Sequence, residues 1–260
     1  MPTAARPHRL ELYEHAVQQP GATAALLGRA YLHHRLPHDP LDQEAWLLRE
    51  DFAGGAAVAE AWCMSHPERQ ALAVERHAPT FRWARRRRGG LDDLHLVLAD
   101  VADFDRPRVD LVAALNFSTF GYHTPDTLLA YFRHARRCLR PGGVLVLDAF
   151  GGPGAQRLGT QDRPADGFTY HWEQRHFDPL THRLDARIHF SFPGHGRFES
   201  AFRYDWRLWT LPELFELLRR ARFGPPSVWA PGPRAPHGPD RPVSRLSHAE
   251  NWVVTLAARR

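Results

Sequence analysis

The chain contains no lysine: all 34 of its strongly basic residues are arginine, and isoleucine occurs once, at Ile188. Such a bias is what a GC-rich coding sequence produces, so the formal net charge of +5 says little about a nucleic-acid partner. The run Arg85-Arg86-Arg87-Arg88 is the main feature that would touch phosphates. Its place before Gly89-Gly90 suits a solvated helix end instead, since arginine favours the negative end of the helix dipole and glycine stops the helix. Nucleic acid is not the expected partner. Cysteine is scarce too: Cys63 and Cys138 lie far apart, fall inside expected helices and read as free thiols in a reducing cytoplasm. No apolar run approaches the ~20 residues of a membrane span. MPTAARPHRLELYEH, at the start, has no apolar core of a secretory signal. No HExxH pattern occurs, and no metal is expected.

What is present is enough for a packed core: 260 residues, 43% hydrophobic and 11% aromatic, with mixed charge. Residues 9–19 and 22–35 read as two helices, followed by the Pro-rich connector LPHDPLD. Strands are expected at 45–49, 71–75, 94–101, 109–116 and 144–150, and helices at 55–65, 79–88 and 125–139. The strand VDLVAALN is continuously apolar, as one buried on both faces should be. Alternation of strands and helices implies an α/β fold: a doubly wound, Rossmann-like, mostly parallel sheet with right-handed crossovers. After residue 150 the period changes to two. FTYHWEQRHFD, DARIHFSF and ESAFRYDWRLW read as three antiparallel strands, with Asp205 and Arg207 as a structural pair. A helix capped by Thr210 follows over 210–223, then closing strands at 226–230 and 251–257, the final strand antiparallel, with a mobile Pro/Gly/Arg-rich loop between them. The expected organisation is a helical cap (1–44), a core (45–150), an antiparallel β insertion covering the substrate (151–209), and a return to the core (210–260).

Ligands of such sheets bind beyond the carboxyl ends of the strands. Those positions here are Glu50 to Gly55, Glu75, Asp100-Val101, Asn116 to Ser118, and Asp148. The first of them, Glu50-Asp51-Phe52-Ala53-Gly54-Gly55-Ala56, has the layout of a nucleotide-binding turn, yet Phe52 and Ala56 replace glycines. Phe52 would crowd a pyrophosphate, Glu50 and Asp51 would repel one, and no GxxxxGK[ST] occurs. Glu75, 21 residues after Gly54, stands where this kind of fold places the acid that binds ribose hydroxyls. A cofactor with an adenosine end, no phosphates and a cation fits these residues, a description that S-adenosylmethionine meets.

The order Glu50-Asp51-Phe52-Ala53-Gly54, Glu75, Asp100-Val101, Asn116-Phe117-Ser118 and Leu139-Arg140-Pro141-Gly142-Gly143 resembles a class I S-adenosylmethionine-dependent methyltransferase. The first motif resembles a subgroup with an LREDF-small-G string, and YHWEQ, FRYDWRLWT and NWVV are similar to the same subgroup. The resemblance implies that Glu50 and Gly54 line the methionine end of the cofactor, with Phe52 and Ala53 in the same turn. It implies that Glu75, beside Arg76, binds the ribose and that Asp100 and Val101 flank adenine. Asn116, next to Phe117, would sit under the sulfonium, and Tyr13 would cover the methionine carboxylate.

Methyl transfer from a sulfonium is an in-line displacement, so alignment can supply much of the rate and a base is needed only if the acceptor must lose a proton. His123, His171 and Glu173 are the candidate acid–base residues. Tyr122, Trp172, Tyr204 and Trp206 are candidates for an aromatic substrate pocket, which could hold an amine, with Trp209 as a further aromatic nearby. The expected partner is a small-molecule methyl acceptor with a nitrogen or oxygen nucleophile. The exposed edge of the β insertion has homodimerisation as an alternative role. A non-catalytic S-adenosylmethionine-binding protein of the same fold is the second reading. A nucleic-acid methyltransferase is the third, and Asn116-Phe117-Ser118 does not match the [DNS]PP[YFW] signature of the DNA amino-methyltransferases.

Overall fold

The computed structural model describes residues 7–35, 44–194, 196–230 and 241–260. The expected connector at 36–42 and the first half of the expected mobile loop, 231–240, lie outside these. Two helices, α1 (Arg9–Val17) and α2 (Pro20–His33), precede the alternating core. The core runs β1 (Leu47–Asp51), α3 (Ala57–Met64), β2 (Gln70–Glu75), α4 (Ala78–Arg88), β3 (Leu94–Leu98), β4 (Val109–Ala114), α5 (Pro125–Cys138) and β5 (Leu139–Gly151). Then come β6 (Gly159–Ala165), β7 (Phe168–Asp178), β8 (Arg183–Phe192) and β9 (Gly196–Arg207), followed by α6 (Leu211–Arg220), β10 (Ser227–Trp229) and β11 (Trp252–Arg259).

The seven-stranded sheet has the order β10-β11-β5-β4-β1-β2-β3. β1 to β5 pair in parallel, and β11 is antiparallel to both β5 and β10. Alternate side chains feed two cores, because successive strand residues point to opposite faces. Leu111, Ala113, Val144 and Val146 pack toward α2 and α3, while Val112, Ala114, Leu145 and Leu147 pack toward α5 and α6. β1 lies between β2 and β4, whose connections run to opposite sides of it, so a crevice forms at the tips of β1 and β4. No helix among the described residues is long and apolar enough to cross a membrane.

Two expected strands stop early for identifiable reasons. β3 ends at Leu98 because Asp100 turns the chain, its Oδ1 accepting from the Ala102 N–H at 3.0 Å. β4 ends at Ala114 because Asn116 and Phe117 take left-handed φ of 55° and 58°. β5 begins earlier than expected, at Leu139, and takes in the Pro-Gly-Gly segment. Gly143 is required there, since a Cβ would lie 2.9 Å from the Asp110 carbonyl oxygen.

The β insertion is a four-stranded sheet, β6-β7-β8-β9, with one strand more than expected. The additional strand, GTQDRPA, is almost wholly exposed at the sheet edge, so it carries no apolar alternation to reveal it. Its Pro164 is tolerated because an edge strand can spare a donor. Asp205 and Arg207 do not pair: Asp205 bonds Arg183 and Arg207 bonds Glu213, because residues two apart point the same way but pair across the ladder or onto α6. α1 bridges the insertion to the core, with Leu12 among Phe168, Ile188 and Phe190, and Leu10 against Trp83.

Candidate active site

The turn after β1 keeps the backbone of a glycine-rich loop without its glycines. Phe52, Gly54 and Ala56 have φ of 56°, 55° and 63°. A left-handed non-glycine residue costs roughly 1–2 kcal/mol, and packing holds both of them. The Phe52 ring lies 5.5 Å from that of Tyr131, and Ala56 is 1% exposed. Gly55 admits no side chain, for a Cβ would lie 2.2 Å from Glu14 Oε1 and 3.0 Å from Trp83.

The other residues of LREDF support this turn from below. Arg49 is fully buried; its Nε donates to Asp51 Oδ1 at 2.6 Å, Nη2 to the Val101 carbonyl at 2.9 Å, and Nη1 to the Phe104 carbonyl. Tyr131 donates its hydroxyl to Asp51 Oδ2 at 3.0 Å. Glu50 accepts the Ala59 N–H at 2.8 Å, substituting for the cap that Ala56 cannot give α3. Burial pushes the Glu50 carboxyl up to about 8, against the Ala59 N–H and Arg88. The folded chain thus keeps a proton that the unfolded chain has lost, and this group's contribution to stability falls as pH rises from its ordinary value toward 8. Glu50→Gln, which keeps an acceptor oxygen, is expected to match the parent at about pH 5 and to exceed it at about pH 8, by up to ~1 kcal/mol per pH unit between. Denaturant melts at the two pH values check this; parallel changes in both proteins would refute it.

Two cavities meet over the tips of β1 and β4. The smaller, about 330 Å³, is lined by Phe52, Ala53, Gly54, Glu75, Arg76 and Val101, with Glu14 and Thr80. Glu75 Oε2 accepts the Gly54 N–H at 2.9 Å and Oε1 the His77 N–H at 2.6 Å, so its carboxylate is fixed at the rim. Arg76 pairs with Asp100 at 3.2 Å, and Asp100 is held below the ordinary carboxylate value, chiefly by the Ala102 N–H. The larger cavity, about 710 Å³, lies under the β insertion and is lined by Phe117, Asp148, Tyr170, Trp172 and Gln174 among others. Both volumes are of the size that small-molecule sites occupy. Tyr13, Gln18, Asn116, Tyr204 and Trp206 line both cavities and so stand at their junction. The Tyr13 and Tyr204 hydroxyls are hydrogen-bonded, and burial pushes both well above the ordinary phenol value. The rings of Tyr204 and Trp206 lie 4.2 Å apart, and those of Trp172 and Tyr204 5.7 Å.

Several expected residues lie elsewhere. Glu50 lines neither cavity, being turned under α3, and Asp100 is replaced at the wall by its neighbours Ala99 and Val101. His171 and Glu173 are on the outer face of β7, because Tyr170, Trp172 and Gln174 take the inner one. His171 sits between Asp162 and Ser191, each at 2.7 Å, and Glu173 bonds His189 at 3.1 Å. His123 contacts the Asp205 carbonyl at 2.8 Å in a separate surface groove. Tyr122 stacks on Tyr131 at 5.2 Å, and Trp209 is buried, donating to the Tyr122 carbonyl.

Two further acids stand at the site: Asp148, placed there by its strand-tip position but given no role, and Glu14, which the sequence did not single out. Asp148, at the tip of β5, accepts the Asn116 N–H at 2.8 Å and the Phe117 N–H at 2.6 Å. Burial pushes it up to about 7 in spite of these bonds. Its place at a strand tip was the available signal. Glu14 is held by Arg88 at 2.9 Å, and Arg88 also reaches Glu60 at 2.8 Å and the Gly55 carbonyl at 2.8 Å. Arg85, Arg86 and Arg87 are exposed, but the fourth arginine of the run is a buried tie between α1, α3 and the first turn.

No protein-family model matches this chain, and no curated protein matches it in sequence. Solved structures match its fold, a seven-stranded, mostly parallel sheet with a separate four-stranded antiparallel one. An S-adenosylmethionine-dependent methyltransferase from Clostridium acetobutylicum shares 16% identity over 96% of each chain, with a TM-score of 0.67. The methyltransferase CcbJ from Streptomyces caelestis shares 21% identity over 98% of this chain and 100% of that one, with a TM-score of 0.66. An amino pentose methyltransferase from Micromonospora echinaspora, with S-adenosylmethionine bound, shares 18% identity over 96% and 94% of the two chains, with a TM-score of 0.65.

Proposed function

We propose that this chain is an S-adenosylmethionine-dependent methyltransferase whose acceptor is a small molecule presenting a nitrogen or oxygen nucleophile. The observation that carries the reading is the junction: a small acid-rimmed cavity at the β1–β4 crevice opens past Tyr13, Asn116, Tyr204 and Trp206 into a larger aromatic one. The residues fit the cofactor. Glu75 offers fixed acceptor oxygens for paired ribose hydroxyls, and Ala99 with Val101 forms an apolar wall for a base. Arg76, the one arginine on the small cavity among the described residues, is turned to Asp100, so nothing there is arranged to neutralise phosphates. When bound, the cofactor supplies an electrophilic methyl group on sulfur.

The chain's own part is alignment. Asn116, fixed by its N–H on Asp148, and the Tyr204–Trp206 pair narrow the junction so that an acceptor in the large cavity faces the small one. α1 lines both cavities, through Tyr13, and is anchored by Glu14 on Arg88. Holding two reactants in line in this way contributes up to ~7–11 kcal/mol in favourable cases. Neighbours that methylate sugars, an amino pentose among them, make a polar small molecule the natural acceptor class. A crystal structure with S-adenosylhomocysteine tests the assignment. The ribose should lie on Glu75 and the sulfur beside Asn116; a ligand seated in the larger cavity alone would overturn it.

A further inference from the structure

The larger cavity carries one carboxylate, Asp148, for which no cation is provided among the described residues. Resting on the methyl-transfer reading, we infer that the acceptor is an amine that enters as an ammonium ion, with Asp148 as its counter-ion and first proton acceptor. Asp148 faces the cavity from the tip of β5, and each of its oxygens holds one backbone N–H, leaving a lone pair on each for a ligand. Those N–H groups belong to Asn116 and Phe117, and Asn116 lines both cavities, so a nitrogen seated on Asp148 lies at the junction.

Around it the surfaces suit a cation. Tyr13 from α1, Tyr170 and Trp172 from β7, and Tyr204 and Trp206 from β9 present rings to the same space, and aromatic faces attract ammonium groups. Among the described residues Arg163 of β6 is the only arginine on this cavity, and it is committed elsewhere. Its guanidinium stacks 4.8 Å over Tyr170, and Nη2 donates to the Ala16 carbonyl. The other acid on the wall, Asp162 of β6, is engaged by His171 at 2.7 Å. A buried carboxylate without a partner is costly, and a ligand cation would supply one.

The ammonium gives one proton to an Asp148 oxygen, and the neutral nitrogen's lone pair forms the new N–C bond to the methyl carbon. The S–C bond breaks with its pair remaining on sulfur, positive charge passes to the methylated nitrogen, and the proton on Asp148 returns to solvent when the product leaves.

Calorimetry with benzylammonium and benzyl alcohol, in the presence of S-adenosylhomocysteine, tests this. The parent protein should bind the ammonium at least ~10-fold more tightly than the alcohol. Asp148→Asn, which removes the charge and keeps an acceptor for one of the two backbone N–H groups, should reduce the preference to within about 2-fold while S-adenosylhomocysteine still binds. Trp172→Leu, which leaves Asp148 and its two N–H partners unchanged, should also weaken the ammonium selectively. Glu173→Gln, on the outer face, should leave the preference intact. Bound S-adenosylhomocysteine with no preference for the ammonium, or a preference that survives Asp148→Asn, would overturn this inference alone. Ammonium binding without S-adenosylhomocysteine binding would instead overturn the methyl-transfer reading and keep the cation site.

Discussion

Arg49→Leu is expected to destabilise the protein by about 3–5 kcal/mol, the largest loss of any substitution considered. The reason is what it leaves behind. Asp51 is 1% exposed, and burial already pushes its carboxyl up; Arg49 is the partner that opposes this most. Without the guanidinium, only Tyr131 remains on that carboxylate, and the carbonyls of Val101 and Phe104 lose a buried donor. Val101 lines the small cavity, so ligand affinity should fall with stability. For a chain of this size the loss corresponds to a melting temperature lower by ~10 °C or more. Arg49→Leu combined with Asp51→Asn should recover part of it, since the unpaired charge is then gone. A double-mutant cycle by thermal melting checks this: additive losses would mean that the pair is not coupled and that the first motif has some other role.

Glu75→Ala is expected to lower affinity for S-adenosylhomocysteine by at least ~100-fold, about 2.7 kcal/mol. Two effects combine. The ribose hydroxyls would lose their acceptor, and the Gly54 and His77 N–H groups would lose theirs, releasing the turn that shapes the cavity. Glu75→Gln retains an oxygen for Gly54 and should lose only ~10-fold. Both variants should fold, because the carboxylate lies at a cavity rim and not in a core. Calorimetric titration of the two variants measures the losses directly. Unchanged affinity in Glu75→Ala would remove Glu75 from the site.

The strand–helix alternation of residues 45–150 was legible because β2, β4 and β5 are apolar on both faces over ALAV, LVAA and VLVL, which leaves a continuous apolar signal. β6 was not legible: an exposed edge strand has no face to hide. The acid–base candidates illustrate a constraint that was present in the sequence all along. Trp172 cannot share an inner face with His171 and Glu173 on one regular strand, so choosing the tryptophan for the pocket already excluded its neighbours. Glu75, Gly54, Val101 and Asn116 came together on the small cavity because strand-tip positions converge whatever the loop details. The same rule gave the position of Asp148 but not its role. Its partners are two N–H groups exposed by consecutive left-handed residues, and nothing in Asn-Phe announces that conformation. Phe52 and Ala56 are the converse case: the sequence departs from glycine while the backbone does not, so the glycine pattern would have missed a turn that is there.

We propose that the crevice at the tips of β1 and β4 holds S-adenosylmethionine. Calorimetric titration of the full chain with S-adenosylmethionine and S-adenosylhomocysteine tests it most directly. Saturable binding of both at one site per chain, lost or greatly weakened in Glu75→Ala, is the predicted result. No saturable binding of either ligand by the folded protein would contradict it.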